Sequence, residues 1–281
     1  MALVQPGNLH RLALAVDDAA VADQWFKTTL GAAGLRTGDD EAGVRSGGEA
    51  DLAGTDISLF RVGGFPFILL AKGVPGGPVA TFLERYGPGV HSLAWEIEDM
   101  WTVQNLLIED GIRIGAVNIP GRHFFMHPKD THGVLMEWTD DTFGPNGKQD
   151  SEGGGLVDVD DLAWVSAVVT DAEATAEFLA DLCDARPVEG NARGPDGREL
   201  TIDLRVGDIT LRLITPQSTE SPYAATLERG PRLTTFGLRV GDLDAAVDAL
   251  SGAGVPAVRR EANLVATDPA ATFGIPIEWT A

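Results

Sequence analysis

The chain repeats itself, and a repeat limits the available folds more than any compositional bias does. Asn8–Ala19, NLHRLALAVDDA, has a counterpart in Asp161–Ala172, DLAWVSAVVTDA. Phe82–Asp99, FLERYGPGVHSLAWEIED, matches Thr226–Asp242, TLERGPRLTTFGLRVGD, and His127–Thr139, HPKDTHGVLMEWT, matches Asp268–Thr280, DPAATFGIPIEWT. The three pairs occur in the same order, so the second half is a diverged copy of the first.

A finer period runs inside each half. An apolar strand over Leu9–Val16 leads through acidic residues into an amphipathic helix over Ala19–Leu30, followed by strands near Ile57–Val62 and Pro66–Ala71. The pattern then recurs: strand His91–Ile97, helix Met100–Gly111, strands near His123–Met126 and Val134–Thr139. Four βαβββ modules follow, which is an α+β arrangement of two tandem domains. Phe143–Gly155, with Gly144-Pro, Asn146-Gly and three consecutive glycines, reads as a linker. The expected domains are therefore 1–142 and 157–281, joined by 143–156.

Composition excludes several function classes. The 34 glycines and 16 prolines are dispersed, as many short strands and tight turns require. A formal net charge of −21 opposes binding to nucleic acid or an anionic membrane, which needs clustered Lys and Arg. Apolar runs such as Phe65–Ala71 fall far short of the ~20 residues of a membrane span. The start, MALVQPGNLHRLALAV, lacks the pattern of a secretory signal, and Cys183 is the only cysteine. A cytoplasmic protein acting on a small molecule is expected.

The ordered modules resemble the vicinal oxygen chelate superfamily, which includes glyoxalase I, methylmalonyl-CoA epimerase, extradiol dioxygenases and bleomycin resistance proteins. Locally, Phe82–Asp99 is similar to the epimerase pattern F-L-E-x-x-G-x-G-(I/L)-H-H-(I/L)-A-F-E-V-x-D. Phe125–Glu137 is similar to F-L-H-P-K-x-x-x-G-V-L-(L/V)-E. The resemblance implies a cup of sheet around one divalent ion (Fe, Mn, Co, Ni or Zn), with His10, His91 and Glu137 at the ligand positions. Imidazole and carboxylate suit a borderline metal and leave coordination positions open. Alternation puts His10 on the face of Leu12 and Leu14, taken as the concave one. Two departures stand out: Ser92 replaces the second His of the pair, and Ile68 falls at a fourth ligand position.

The copy is poorer in ligands. Its aligned positions are Ala163, Thr234 and Glu278, and all five histidines precede the linker. The resemblance implies proton transfer beside a metal-chelated carbonyl, as in an epimerase or isomerase, on a substrate with adjacent oxygens such as an acyl-CoA. Glu49, Asp51 and Asp56 are candidate bases. An extradiol-type Fe(II) dioxygenase acting on a catechol-like compound is the alternative, with His127 a possible donor toward Glu137. A metal-free binding or resistance protein is the third reading. The second half is expected to pack as a covalent pseudo-dimer partner, and homodimerisation is open.

Overall fold

The computed structural model describes residues 2–35, 55–115, 121–140, 154–188 and 197–281. Glu49, Asp51 and most of the expected linker lie outside them. The fold is α+β, with two mixed sheets of seven and eight strands. The first module comprises β1 (Leu9–Val16), α1 (Ala19–Leu30), β2 (Ala33–Gly34), β3 (Thr55–Val62) and β4 (Phe65–Lys72). After α2 (Pro78–Tyr86) comes the second, with β5 (Gly89–Glu96), α3 (Met100–Glu109), β6 (His123–Phe125) and β7 (Met136–Thr139). The third has β8 (Asp161–Val168), α4 (Ala172–Cys183), β9 (Arg186–Pro187), β10 (Glu199–Val206) and β11 (Ile209–Pro216). Following α5 (Ala224–Glu228), the fourth has β12 (Arg232–Arg239), α6 (Leu243–Gly252), β13 (Ala257–Glu261), β14 (Leu264–Thr267) and β15 (Ile277–Thr280).

The repeat read from sequence is thus visible in all four modules, the second having two strands after its helix among the described residues, and α1 begins and ends where the apolar spacing placed it. The helix α2, by contrast, was not anticipated. Each module helix starts at an aspartate, Asp18, Asp99, Asp171 or Asp242, whose side chain accepts a backbone N–H of the first turn. Such a cap stabilises a helix by about 1 kcal/mol. Among the described residues no helix is long and apolar enough to cross a membrane.

In every module the first strand pairs in parallel with the last. Leu12 faces Phe67, Leu93 faces Met136, Val165 faces Leu211 and Phe236 faces Ile277. These registers decide which side chains share a face. In the first module, Phe26 of α1 packs on Phe60 and Phe67, with ring centroids 4.9 and 6.2 Å away. Leu12, Leu14 and Leu69 therefore lie on the helix side, by pairing with the Phe67 row and by alternation. The other face carries Ala13, Leu59, Ile68 and Leu70, packed with Val79 and Leu83 of α2.

The compact units of the fold do not follow the halves of the sequence. One contains Met1–His10, Ser92–Thr142 and Trp164–Thr234, that is, the second and third modules. The other contains Arg11–His91, Phe143–Ala163 and Thr235–Ala281, the first and fourth. In the former, His132 stacks on Phe178 of α4 with centroids 5.1 Å apart, and Asp208 accepts the Leu9 N–H at 2.7 Å. In the latter, Phe67 meets Phe236 at 5.5 Å and Trp25 meets Phe273 at 5.9 Å.

Gly133 marks one of these contacts. Its φ is +95°, and a Cβ there would lie 2.5 Å from the Pro231 carbonyl oxygen. Backbone cannot swing aside as a side chain can. Gly133→Ala is expected to cost about 1–3 kcal/mol for the strained conformation and more for the overlap. Gly111, with φ +84° and nothing within 4 Å, should lose only the conformational share, about 1 kcal/mol, as alanine. Urea midpoints of the two variants measure the difference; equal costs would show that Pro231 yields freely.

Candidate functional site

Glu137 stands in the middle of β7 and is 2% exposed. A carboxylate so buried is tolerated only where donors replace its lost water. The Ser92 hydroxyl donates to its Oε1, and His123 Nε2 lies 2.9 Å from its Oε2. Both donors follow from strand geometry. Ala94 is the β5 residue opposite Glu137, so Ser92, two residues earlier, leaves the same face. On β6, Phe125 is opposite Glu137, and His123 shares its face and touches the Phe125 ring edge-on at 5.0 Å. Ser92 is fully buried and His123 is 4% exposed.

His91 does not belong to this group. As the neighbour of Ser92 it leaves β5 from the opposite face, that of Leu93 and Trp95, and it meets Phe82 edge-on at 5.0 Å. The same alternation applies to His10, which does share the face of Leu12 and Leu14, as expected from sequence. That face is covered by α1, however, and is not the concave one. The residue of β1 on the Ala13 and Ile68 side is Arg11, which is 9% exposed.

The parallel registers make the comparison exact within the repeat unit. Leu12 with Phe67 corresponds to Leu93 with Met136, so Ile68 occupies in the first module the place of Glu137 in the second, and Arg11 that of Ser92. The two strand ladders thus offer Arg11, Ile68, Ser92 and Glu137 at equivalent positions. Neither ladder offers the donor set of a borderline divalent ion: the first presents a guanidinium and an alkyl group, the second a hydroxyl and one carboxylate. Among the described residues, no three His, Cys, Asp or Glu side chains are grouped to hold a metal. The set of His10, His91 and Glu137 does not fit a single ion in this geometry.

The candidate bases also separate. Asp56 is exposed on β3, on the face of Ser58 and Phe60, and pairs with Lys72. His127 is half-buried in the turn before Pro128, where its Nδ1 accepts the Lys129 N–H at 3.2 Å. Thus His123, not His127, is the histidine that meets Glu137. Sequence reading passed over it because the β6–β7 register, which aligns Phe125 with Glu137, is not written in the local pattern.

Half of the chain has a close relative in sequence. An ethylmalonyl-CoA/methylmalonyl-CoA epimerase of Cereibacter sphaeroides is 32% identical over 138 residues, which are 47% of this chain and 96% of the relative. The family described as Glyoxalase/Bleomycin resistance protein/Dioxygenase superfamily matches residues 161–269. The chain belongs to that superfamily. Among solved structures, a triple mutant of 4-hydroxymandelate synthase from Streptomyces coelicolor is 18% identical with a TM-score of 0.63, covering 98% of this chain and 92% of that one. A xylose isomerase-like TIM barrel/4-hydroxyphenylpyruvate dioxygenase fusion protein is also 18% identical, with a TM-score of 0.64, covering 98% and 49%. These likenesses establish the glyoxalase-like fold in tandem. Membership of the superfamily rests on the sequence relative, which is itself an enzyme.

The turn that carries His127 is fastened by Arg113, which forks onto Asp130. Hydrogen bonds from this guanidinium hold the Asp130 carboxyl down to about 2, against an ordinary 3.8, with the nearby His127 adding a smaller pull. A depressed carboxyl stabilises the fold above its unfolded value, so this contribution is present above about pH 4 and is lost as pH falls toward 2. Carbon-13 titration should find Asp130 titrating near 2 in the native chain and closer to its ordinary value in Arg113→Ala. An unchanged titration in the variant would sever the link.

Proposed function

We propose that the N-terminal half is a small-molecule site of the superfamily that moves a proton next to a substrate carbonyl, in the manner of an isomerase or epimerase, with Glu137 as its working carboxylate. The observation that carries this reading is the pairing of buried Glu137 with Ser92 and His123 on one face. A carboxylate in contact with an imidazole can take a proton from carbon and pass it onward, while the Ser92 hydroxyl fixes the other oxygen. An acyl-CoA, the class named for the epimerase relative, is the first substrate to try. The net charge of −21 requires that such a polyanion be recognised by local cations against the overall field.

The reading departs from the resemblance in one respect. Stabilisation of the enolate by a chelated divalent ion would need ligands on the Glu137 face, where β5 supplies Ser92 and Ala94. The Fe(II) dioxygenase alternative needs the same ligand set and is weakened by the same register. Binding without turnover is the second reading. It is favoured by the alkyl group of Ile68, within an apolar cluster, at the position equivalent to Glu137.

Incubation with methylmalonyl-CoA or ethylmalonyl-CoA in heavy water, read by mass spectrometry, tests the proposal. Deuterium uptake at the acidic carbon is expected and should survive exhaustive chelation. Glu137→Gln should lower its rate by about 10²–10⁴-fold, the range of a lost general base. His123→Ala should also slow it, whereas Ser92→Ala should act more mildly. Exchange abolished by chelation and restored by Fe, Mn, Co, Ni or Zn would overturn the metal-independent part. Saturable binding without exchange would favour the second reading.

A further inference from the structure

The four module helices are copies of one element, so their outer faces can be compared position by position. Each follows a capping aspartate and opens on a buried residue, Ala19, Met100, Ala172 or Leu243. The next position is exposed in all four. It holds Ala20 in α1, Glu173 in α4 and Asp244 in α6, but Trp101 in α3. Seven residues further on, again exposed in all four, stand Lys27, Ala180 and Ser251, but Ile108 in α3. Trp101 is 58% exposed and Ile108 is 52% exposed.

The two residues form one feature. Seven residues are close to two helical turns, so both side chains leave α3 in nearly the same direction, about 10 Å apart. The Trp101 indole rests on the backbone of Gly121, where φ is +76° and a Cβ would lie 2.5 Å from the ring. A ring braced in this way has little freedom left to lose when it is covered. Neither residue serves the helix itself, since Trp and Ile form helices less readily than the Ala and Lys of α1. In α1 and α4 the large aromatic is instead Trp25 or Phe178, half-buried and packed within the chain on Phe273 or His132. Single exposed apolar residues are ordinary, but an aligned large pair at positions that three sister helices fill with small or charged groups marks a surface built to be covered.

The surrounding charge indicates what covers it. No Lys or Arg occurs between Arg85 and Arg113. Glu98 and Asp99 are exposed at the start of α3, and Glu109 and Asp110 at its end, where the negative end of the helix dipole adds to them. Arg113 and Arg122, the next cations along the chain, are held by Asp130 and Asp140. Two copies of the chain meeting through this stripe, parallel or antiparallel, would set carboxylates against carboxylates. A cationic partner meets attraction at both ends of the stripe.

We propose that the outer face of α3, centred on Trp101 and Ile108, docks a basic amphipathic helix of another protein. The apolar stripe of that helix covers Trp101 and Ile108, and its Lys and Arg side chains meet the carboxylates before and after α3. Trp101 is the anchor, as a large, braced aromatic ring commonly is at such contacts. The surface makes no use of Glu137 and is independent of the catalytic reading.

Titration of the full chain, at physiological salt, with a basic helix-forming peptide of about 15 residues tests the surface, with leucines spaced along one face and lysines elsewhere. Saturable binding with a blue shift of tryptophan emission is expected. The same peptide with Glu for Lys, and one of scrambled order, should bind about tenfold or more weakly. Trp101→Glu and Ile108→Ser, which install residue types found on the sister helices, should fold with little change in melting temperature and each weaken binding about tenfold or more. Trp101→Glu also raises the negative charge, so attraction by charge alone would hold or tighten binding in that variant. No binding, equal binding by the scrambled peptide, or undiminished binding by both variants would overturn the proposal. A dimer of the chain in light scattering that Trp101→Glu dissociates would overturn it too, by making a second copy the occupant.

Discussion

Everything in this fold that bears on chemistry depends on the parallel ladder between the first and last strand of each module. The pairs Leu12 with Phe67, Leu93 with Met136, Val165 with Leu211 and Phe236 with Ile277 keep one register through four modules. A strand shows successive side chains to opposite sides, so a displacement of one residue would exchange the two faces completely. Because the register is held constant, the same four positions on two ladders recur in each half, whatever residue occupies them. The helix side is mainly apolar, with His10 and His91 among its exceptions, and the other side varies more widely between modules.

Much of this order is legible in the sequence. The repeat, the module count, the extent of α1 and the α+β class all follow from apolar spacing and from the aspartates that cap the helices. The face of each histidine is not legible, for a physical reason. A strand with solvent on one side announces its inner face by alternating polar and apolar residues, whereas a strand buried on both sides reads as a continuous apolar run. All eight residues of β1 are buried, as are the six from Val90 to Trp95 of β5. In His10-Arg11 and His91-Ser92 the two neighbours are therefore both buried, and only pairing with β4 and β7 tells which face each takes. His123 was invisible for a related reason, since its approach to Glu137 depends on a β6–β7 register that no local pattern records.

The contrast between the first and third modules shows how little the fold asks of that variable face. Ala13, Leu59 and Ile68 make an apolar wall where Ser166, Asp203 and Arg212 make a polar one, on strands whose backbone pairing is the same. The core on the helix side, with Phe60 and Phe67 in one module and Leu204 and Leu211 in the other, secures the strands in both. The scaffold is thereby relieved of dependence on the residues that touch a ligand, which is why one architecture can host unrelated chemistries. Superfamily membership accordingly says more about where on the sheet to look than about what will be found there.

The pairing of the second module with the third, and of the first with the fourth, has a genetic implication. After the duplication that the repeat records, neither copy could drift alone, because each compact unit draws its core from both. His132 against Phe178 and Phe67 against Phe236 are contacts between residues that were once in separate copies of one ancestral segment. A substitution in one half is screened by selection through its fit to the other. The duplicated half can lose its histidines, but it cannot be lost.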